Sequence, residues 1–220
     1  MSVEINLDVD EDWLDRSRAA LDAFHDILAV QGLERGLIGP REVPRLWPRH
    51  LINCLCVADP GMGLLPPEAS VADIGSGAGL PGLVWALARP DLTVTLVEPL
   101  QRRTTFLTEA SATLGLTERV RITQARAQDL SPMNVDVVTS RALARLDTVV
   151  GWSLPHLRNG GALLAIKGGK ASRELAEARE SIEACGGTDV AIIRIGPVDE
   201  AGQPLATVVR VAREVVGNGG

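Results

Sequence analysis

The sequence predicts an α/β fold: a doubly wound, mainly parallel sheet of seven strands with an antiparallel C-terminal strand, preceded by a helical extension. From residue 70 onward, short β-branched runs alternate with helical patterns, as expected of a parallel sheet covered on both faces. The last two strand-like runs, 190–196 and 205–213, have no helix-length segment between them and must pair as a hairpin. Residues 10 to about 60 repeat apolar side chains at helical spacing instead.

The helical extension is expected to contain two helices. The first carries an apolar face over 13–28, and the second begins near a proline that a first helical turn accepts and covers 48–58. A stretch rich in Gly and Pro follows at 59–69 and marks a boundary. We therefore predict a helical extension over 1–67 and a main domain over 68–220, which together form one compact unit.

The elements of the main domain follow from runs of apolar residues bounded by Gly, Pro and polar residues. Each predicted helix connects two parallel strands, and Gly115 is a candidate C-cap. The predicted strands are 71–74, 93–98, 120–123, 135–141, 161–167, 190–196 and 205–213, and the predicted helices are about 80–89, 99–116, 145–157 and 172–185.

Composition and charge restrict the class of protein. The chain has 220 residues, of which 45% are hydrophobic, and an odd count of three cysteines, which favours reduced thiols in a cytoplasmic protein. We expect no signal peptide and no membrane-spanning segment. The net charge is −6, but six acids and no base lie within residues 1–15, so the remaining chain is neutral. Twenty of the 22 basic residues are Arg, which suits contacts with phosphate, although a bias of composition explains the count equally well.

The main chemical signal is a strand that runs directly into a glycine-rich turn, in the segment VADIGSGAGLPG at 71–82. Glycines allow a sharp turn and let a ligand approach the backbone, and a helix start offers free N–H groups. In open α/β sheets this is the edge at which ligands bind. We therefore predict that a ligand contacts the strand end and the turn, with Asp73, Gly75, Gly77, Gly79 and Leu80 as candidate residues.

An acid at the end of the second strand adds a second signal. Glu98 lies where a carboxylate can accept both hydroxyls of an adenosine ribose. Residues 77–82 also match the dinucleotide pattern GxGxxG, so an NAD(P)-dependent oxidoreductase is an alternative. The earlier GxGxG at Gly75, the acid at Asp73 and the terminal hairpin favour S-adenosylmethionine and a methyltransferase.

Five segments carry a family resemblance. ADIGSGAGLPG, LVEPLQRRTTFL, ARAQDL, VVTSRALARL and GGALLAIKG, within about 71–170, resemble the ribosomal small-subunit methyltransferase G family, also called glucose-inhibited division protein B. The elements SRA at 140–142 and KG at 167–168 are specific to that family. The resemblance implies a Rossmann-like class I methyltransferase fold and N7-methylation of one guanine in 16S rRNA, with S-adenosylmethionine as the methyl donor. It also implies an effect on streptomycin susceptibility: loss of the activity is expected to alter sensitivity to this aminoglycoside.

The resemblance also assigns residues. It places Gly75, Leu80, Ala127, Gln128 and Arg141 at the cofactor, although the family usually has an acid where this chain has Gln128. On the substrate side, the candidates are Arg141, Lys167, Arg49 and His50.

A guanine N7 is a lone-pair nucleophile that loses no proton, so no catalytic acid or base is assigned. We expect no metal, because His50 and Cys54 alone provide too few ligands. The expected partner is 16S rRNA, the small ribosomal subunit or its precursor, and we expect a cytoplasmic monomer without membrane association. A non-catalytic module that binds S-adenosylmethionine or RNA and a small-molecule methyltransferase are further alternatives.

Overall fold

The computed structural model describes residues 3–214, which form an eight-stranded mixed sheet. The strands are β1 (Val3–Leu7), β2 (Ser70–Ile74), β3 (Thr93–Val97), β4 (Val120–Thr123), β5 (Val135–Arg141), β6 (Leu157–Lys167), β7 (Gly187–Val198) and β8 (Pro204–Arg213). Their order is β1-β7-β8-β6-β5-β2-β3-β4. Strand β8 runs antiparallel to β6 and β7, whereas the other pairings within the described residues are parallel. The predicted doubly wound α/β sheet with a terminal hairpin is confirmed.

Strand β1 adds an eighth strand to the seven that the sequence predicts. It lies within the segment predicted to be helical and pairs in parallel with β7, so that Val3 is opposite Ala191. The run Val3–Leu7 alternates apolar and polar residues as a strand does, but it is only five residues long and largely exposed. The prediction missed this local signal, and the pairing partner β7 is distant in sequence.

Apart from α1, the helices are shorter and less regular than predicted. They are α1 (Glu11–Ile27), α2 (Ile52–Leu55), α3 (Gly82–Ala88), α4 (Gln101–Thr113), α5 (Leu146–Ser153), α6 (Ala171–Glu177) and α7 (Arg179–Ala184). The predicted helix at 172–185 is divided at Ala178. The predicted helix at 48–58 is a wider π-helix over Leu46–Leu51, followed by α2 and a 3₁₀ turn. π-helical turns are rare and occur often at functional sites.

The core lies on both faces of the sheet. One apolar cluster joins the N-terminal segment to α3 and α4, and it includes Phe24, Leu55, Trp85 and Phe106. A second cluster on the other face joins α5, α6 and α7 to the sheet. None of the helices within residues 3–214 has the length and apolar character needed to cross a membrane.

The topology brings four strand ends to one edge of the sheet. Strands β2, β3, β5 and β6 are neighbours or near neighbours, and they run in the same direction. Their carboxyl ends therefore meet, and the residues there are Asp73, Glu98, Arg141 and Lys167. This is the edge at which open α/β sheets bind ligands.

Candidate functional site

The glycine-rich turn after β2 has a backbone that favours glycine. Gly75, Gly77 and Gly79 have φ values of +72°, +58° and +90°, in the left-handed region where side chains are strained. The Ser76 hydroxyl donates to the Asp73 carbonyl at 2.8 Å, and the Gly75 amide donates to the Val97 carbonyl at 2.8 Å. The turn is thereby fixed to the ends of β2 and β3.

Gly82 begins α3 where that helix comes closest to the sheet. Its amide donates to Asp73 Oδ2 at 3.0 Å. A Cβ at this position would lie 2.3 Å from Leu96 Cδ2 and 2.7 Å from Asp73 Oδ2, and both neighbours are buried. The absence of a side chain therefore allows the helix start to reach the Asp73 carboxyl.

We expect Gly82→Ala to lower the free energy of unfolding by about 1–3 kcal/mol, because the added methyl group overpacks a buried contact. Chemical denaturation would measure the change. The matched control is Gly151→Ala in α5, where a Cβ meets no atom within 4 Å. This control should raise stability by about 0.5–1 kcal/mol, the usual gain of Ala over Gly inside a helix. Equal effects of the two substitutions would contradict the packing argument.

Asp73 is a buried acid with an unused hydrogen-bonding atom. Its side chain is fully buried, and its Oδ1 has no hydrogen-bond partner. Burial raises the pKa of the carboxyl to about 7; the Gly82 amide opposes the rise, and the negative charge of Glu98 adds to it. An unpaired buried carboxylate is costly, so this oxygen is suited to a donor or cation supplied by a ligand.

Glu98 follows β3 and faces the same turn. Its carboxylate accepts the Gly77 amide at 3.1 Å, the Leu100 amide at 3.1 Å and the Arg103 guanidinium at 3.3 Å. A carboxylate has about four acceptor positions, so one remains for a further donor such as a hydroxyl. Glu98 thus also sets the position of the glycine turn.

Ala127 and Gln128 lie in a 3₁₀ turn, Ala127–Asp129, after β4. Ala127 is buried and Gln128 is exposed. The buried His156 contacts this turn, with its Nε2 3.0 Å from the Ala127 carbonyl oxygen. Because the carbonyl only accepts, Nε2 must be the donor. No local sequence pattern connects His156 to this turn.

Arg141 ends β5 and contacts the N-terminal segment. Its guanidinium forms a short hydrogen bond with His50 Nδ1, and Nη2 lies 3.5 Å from the Arg49 carbonyl oxygen. The other ring nitrogen of His50, Nε2, is 2.7 Å from Glu42 Oε2. The structure therefore brings the predicted residues Arg141 and His50 together and adds Glu42, which sequence reasoning missed.

Lys167 ends β6 and is mostly enclosed. Its ammonium donates to the Ala144 carbonyl at 2.7 Å and to Glu174 at 2.9 Å, and its side chain is 6% exposed. Glu174 also accepts the Leu146 amide at 3.2 Å. Lys167 and Glu174 thus hold the loop that follows β5. Lys167 is therefore not a solvated surface lysine.

A cavity of about 950 Å³ opens beside these residues. It lies next to the ends of β5 and β6 and the turn between β7 and β8. Leu143 lines the cavity and also packs against Gly75, where a Cβ would lie 2.4 Å from Leu143 Cδ1. The Leu143 side chain therefore lies between the cavity and the glycine turn. Its polar and charged lining residues are Arg45, Arg49, Asn53, Arg141, Lys167, Glu174, Asp199, Gln203 and Thr207.

The basic side chains that line the cavity differ in their exposure to solvent. The Arg45 and Arg49 side chains are 57% and 62% exposed, and each lies 3.6–4.0 Å from Glu42. Arg141 and Lys167 have closer internal partners. The two exposed arginines are thus free to contact an anion at the rim. Within residues 3–214, no three His, Cys, Asp or Glu side chains are grouped to bind a metal ion.

The missed residues share a cause. Glu42, Glu174 and His156 act through side-chain contacts with segments far away in sequence, and no local motif signals such contacts. The sequence offers a signal only for Glu42, an acid that lies eight residues before His50 in a segment that also contains Arg45 and Arg49.

Known proteins match the chain over most of its length. A family model described as rRNA small subunit methyltransferase G matches residues 17–200. The chain is 50% identical to the ribosomal RNA small subunit methyltransferase G of Kineococcus radiotolerans, with 86% of this chain and 73% of that relative covered. It is also 50% identical to the enzyme of the same name from Thermobifida fusca, with 86% and 77% covered.

Solved structures with similar folds have low sequence identity. An S-adenosylmethionine-dependent O-methyltransferase from Thermotoga maritima superposes with a TM-score of 0.56 at 16% identity, over 72% of this chain and 63% of that one. A tRNA methyltransferase from Aquifex aeolicus gives a TM-score of 0.56 at 14% identity, over 73% and 68%. At these identities the likeness concerns the fold.

Proposed function

Because the chain belongs to the rRNA small subunit methyltransferase G family, we propose that it transfers a methyl group from S-adenosylmethionine to N7 of one guanine in 16S rRNA. The observation that carries the proposal is the position of a buried, unpaired carboxyl and a glycine turn beside an arginine-lined cavity. The turn suits the cofactor, and the cavity suits a nucleotide.

The residues at the glycine turn fit the proposed cofactor. S-adenosylmethionine carries an ammonium group and a sulfonium, which supplies the methyl group when the cofactor is bound. Asp73 offers an unpaired buried oxygen to a cation, and Glu98 has an acceptor position for a ribose hydroxyl. The backbone of Gly75, Gly77, Gly79 and Leu80 would surround the amino-acid part, and Ala127 and Gln128 would contact the adenine.

The cavity fits the proposed substrate. Its volume of about 950 Å³ lies at the upper end of the usual range for ligand sites, roughly 300–1,000 Å³, which is enough for a flipped-out nucleotide. Arg45 and Arg49 at the rim would contact phosphates, a role for which the guanidinium is well shaped. Such contacts would make binding salt-dependent, because each one releases counterions.

The chemistry needs placement more than proton transfer. In the proposed reaction the N7 lone pair of guanine would form a bond to the methyl carbon of the donor as the carbon–sulfur bond breaks, and no proton would leave the base. Arg141 and the loop held by Lys167 would orient the base relative to the methyl group. Holding two reactants in line lowers the activation free energy by up to about 7–11 kcal/mol in the best intramolecular cases.

We further propose that the protein acts in the cytoplasm as a monomer on the small ribosomal subunit or its precursor. The helical extension over 1–67 and the main domain over 68–220 would act as one unit, since one apolar cluster includes residues of both. The family argues against an NAD(P)-dependent oxidoreductase. The dinucleotide pattern at 77–82 also begins two residues later than Gly75, the first glycine after β2.

Methyl transfer to small subunits tests the proposal directly. Labelled S-adenosylmethionine would be incubated with subunits from cells that lack this gene, and with subunits from cells that contain it as the control. We expect label in the first set alone, at a single guanine N7 located by cleavage at methylated bases. Label on another atom would contradict the assignment of N7. Absence of label on subunits, precursor particles and naked rRNA alike would refute the enzyme activity.

A further inference from the structure

The short contact between Arg141 and His50 joins two distant parts of the chain. Arg141 ends β5 in the centre of the sheet, and His50 lies in the π-helical turn Leu46–Leu51 of the N-terminal segment. That segment also carries Arg45 and Arg49 at the rim of the cavity. Three of its atoms lie near the Arg141 guanidinium: His50 Nδ1, the Arg49 carbonyl oxygen and Cys54 Sγ, the last at 3.8 Å.

The chemistry of the contact determines which tautomer His50 adopts. A guanidinium only donates hydrogen bonds, so His50 Nδ1 must accept from Arg141. The proton of the neutral ring is then on Nε2, and it is donated to Glu42 Oε2 at 2.7 Å. Burial lowers the pKa of His50, the Glu42 hydrogen bond opposes this, and the charge of Arg141 lowers it further, so the neutral ring is favoured.

We propose that His50, oriented by Glu42, is a positioning residue that holds the Arg141 guanidinium between the glycine turn and the cavity. This inference rests on the proposed function. Arg141 is the group that contacts substrate or cofactor, and His50 acts through it. Because His50 shares its turn with Arg49, docking of RNA phosphates on the rim and placement of Arg141 depend on the same segment.

Two substitutions of similar size separate positioning from packing. His50→Asn retains an acceptor near the position of Nδ1, whereas His50→Gln retains a polar atom near Nε2 and has none at Nδ1. We expect His50→Asn to keep kcat within about threefold, and His50→Gln to lose at least about tenfold, since only the second removes the acceptor for Arg141. Both variants should have similar melting temperatures and similar affinity for S-adenosylhomocysteine. Equal loss in the two, or loss that follows melting temperature, would overturn the proposal.

Glu42 provides a second test. Its side chain is partly exposed, so substitutions there should disturb folding less than substitutions of His50. Glu42→Gln can still accept from His50 Nε2, whereas Glu42→Lys only donates and would force the proton onto Nδ1, facing Arg141. We expect Glu42→Lys to lower kcat at least about tenfold and Glu42→Gln to lower it less than about threefold. An added lysine should otherwise strengthen RNA binding, so unchanged or increased kcat in Glu42→Lys would contradict the proposal.

A spectroscopic readout separates this inference from the proposed function. Nitrogen NMR of the chain labelled in histidine distinguishes the two tautomers without any substrate. We expect His50 to show the pattern of an Nε2–H ring with an accepting Nδ1, and Glu42→Lys to reverse it. A proton on Nδ1 in the unmodified protein would overturn the inference even if methyl transfer to rRNA were observed. Absence of methyl transfer with the expected tautomer would refute the proposed function alone.

Discussion

Replacement of Asp73 by Asn is expected to weaken S-adenosylmethionine binding at least about 30-fold, because removal of one partner of a buried charge pair typically costs 2–5 kcal/mol. The buried Oδ1 has no partner within the protein, so its partner would be the cationic cofactor. Isothermal titration calorimetry with S-adenosylmethionine measures the loss, and methyl transfer at saturating rRNA measures its consequence.

The same substitution should not destabilise the fold at pH 8. Burial raises the pKa of Asp73 from 3.8 to about 7, so the folded state binds more protons than the unfolded state between these values. Stability therefore falls as the pH rises through this window, and the penalty is fully present above pH 7. This pKa shift corresponds to a loss of at most roughly 4 kcal/mol in the free energy of unfolding. We expect the stability of Asp73→Asn relative to the unmodified protein to increase from pH 5 to pH 8.

A control substitution at the amino ends of the strands, away from the glycine turn, tests whether the loss of cofactor affinity is specific to Asp73. Asp136 is the second residue of β5, accepts the Ser70 amide at 2.8 Å and pairs with Arg158. Burial raises the pKa of Asp136, but its hydrogen bonds with Ser70 and Arg158 together outweigh this effect and hold the pKa below the ordinary value, so these bonds stabilise the fold. Asp136→Asn should lower stability and leave cofactor affinity unchanged. If Asp73→Asn behaved in the same way, the unpaired oxygen would have no role in binding.

The elements that the sequence predicts best have a pattern set by their own residues. Strands β4 and β5 have the predicted bounds, because each is a short apolar run between polar residues. Strand β1 was missed although Val3–Leu7 alternates apolar and polar residues, and its pairing with β7, near the other end of the chain, has no local signal. The π-helical turn at Leu46–Leu51 was also missed, since Pro48 in a helical pattern reads as a first turn and not as a widened one.

The site shows the same division. Parallel topology brings the carboxyl ends of β2, β3, β5 and β6 together, so the positions of Asp73, Glu98 and Arg141 at one edge follow from the predicted fold. The contacts of these residues do not follow from it. Glu42 and Glu174 approach from other segments, and only packing determines which charged side chains meet. Sequence pattern therefore locates the edge, whereas the partners that orient each residue require coordinates.

Arg89 is the residue whose loss should affect stability most. It lies at the end of α3, is 6% exposed, and donates to the carbonyl oxygens of Ala58, Leu65 and Pro66 at 3.3–3.4 Å. It also pairs with Asp91 at 2.7 and 2.8 Å. These carbonyls belong to the stretch that joins the N-terminal segment to β2. Arg89 therefore connects the segment that carries His50 to the sheet that carries Arg141.

We expect Arg89→Met to lower the free energy of unfolding by about 3–5 kcal/mol. The carbonyls of the buried residues Ala58 and Leu65 lose this donor, at roughly 1–3 kcal/mol each. Asp91, which is partly exposed and keeps the Glu68 amide, loses its cation. The control is Arg173→Met in α6, where the side chain is 68% exposed and 3.7 Å from Glu177, and where we expect a loss of less than about 1 kcal/mol. Denaturant unfolding at pH 7 measures both.

The dependence of this difference on pH tests its cause. The Arg89 hydrogen bonds lower the pKa of Asp91 from 3.8 to about 2, so the folded state holds this carboxylate unprotonated where the unfolded state does not. The contribution of the pair is present above pH 3.8 and is lost as the pH falls toward 2. The stability difference between Arg89→Met and the unmodified protein should therefore narrow over that interval, leaving the part due to the three carbonyls. A difference that stayed constant from pH 6 to pH 2.5 would assign the whole effect of Arg89 to its carbonyl contacts and packing, and none to the ion pair.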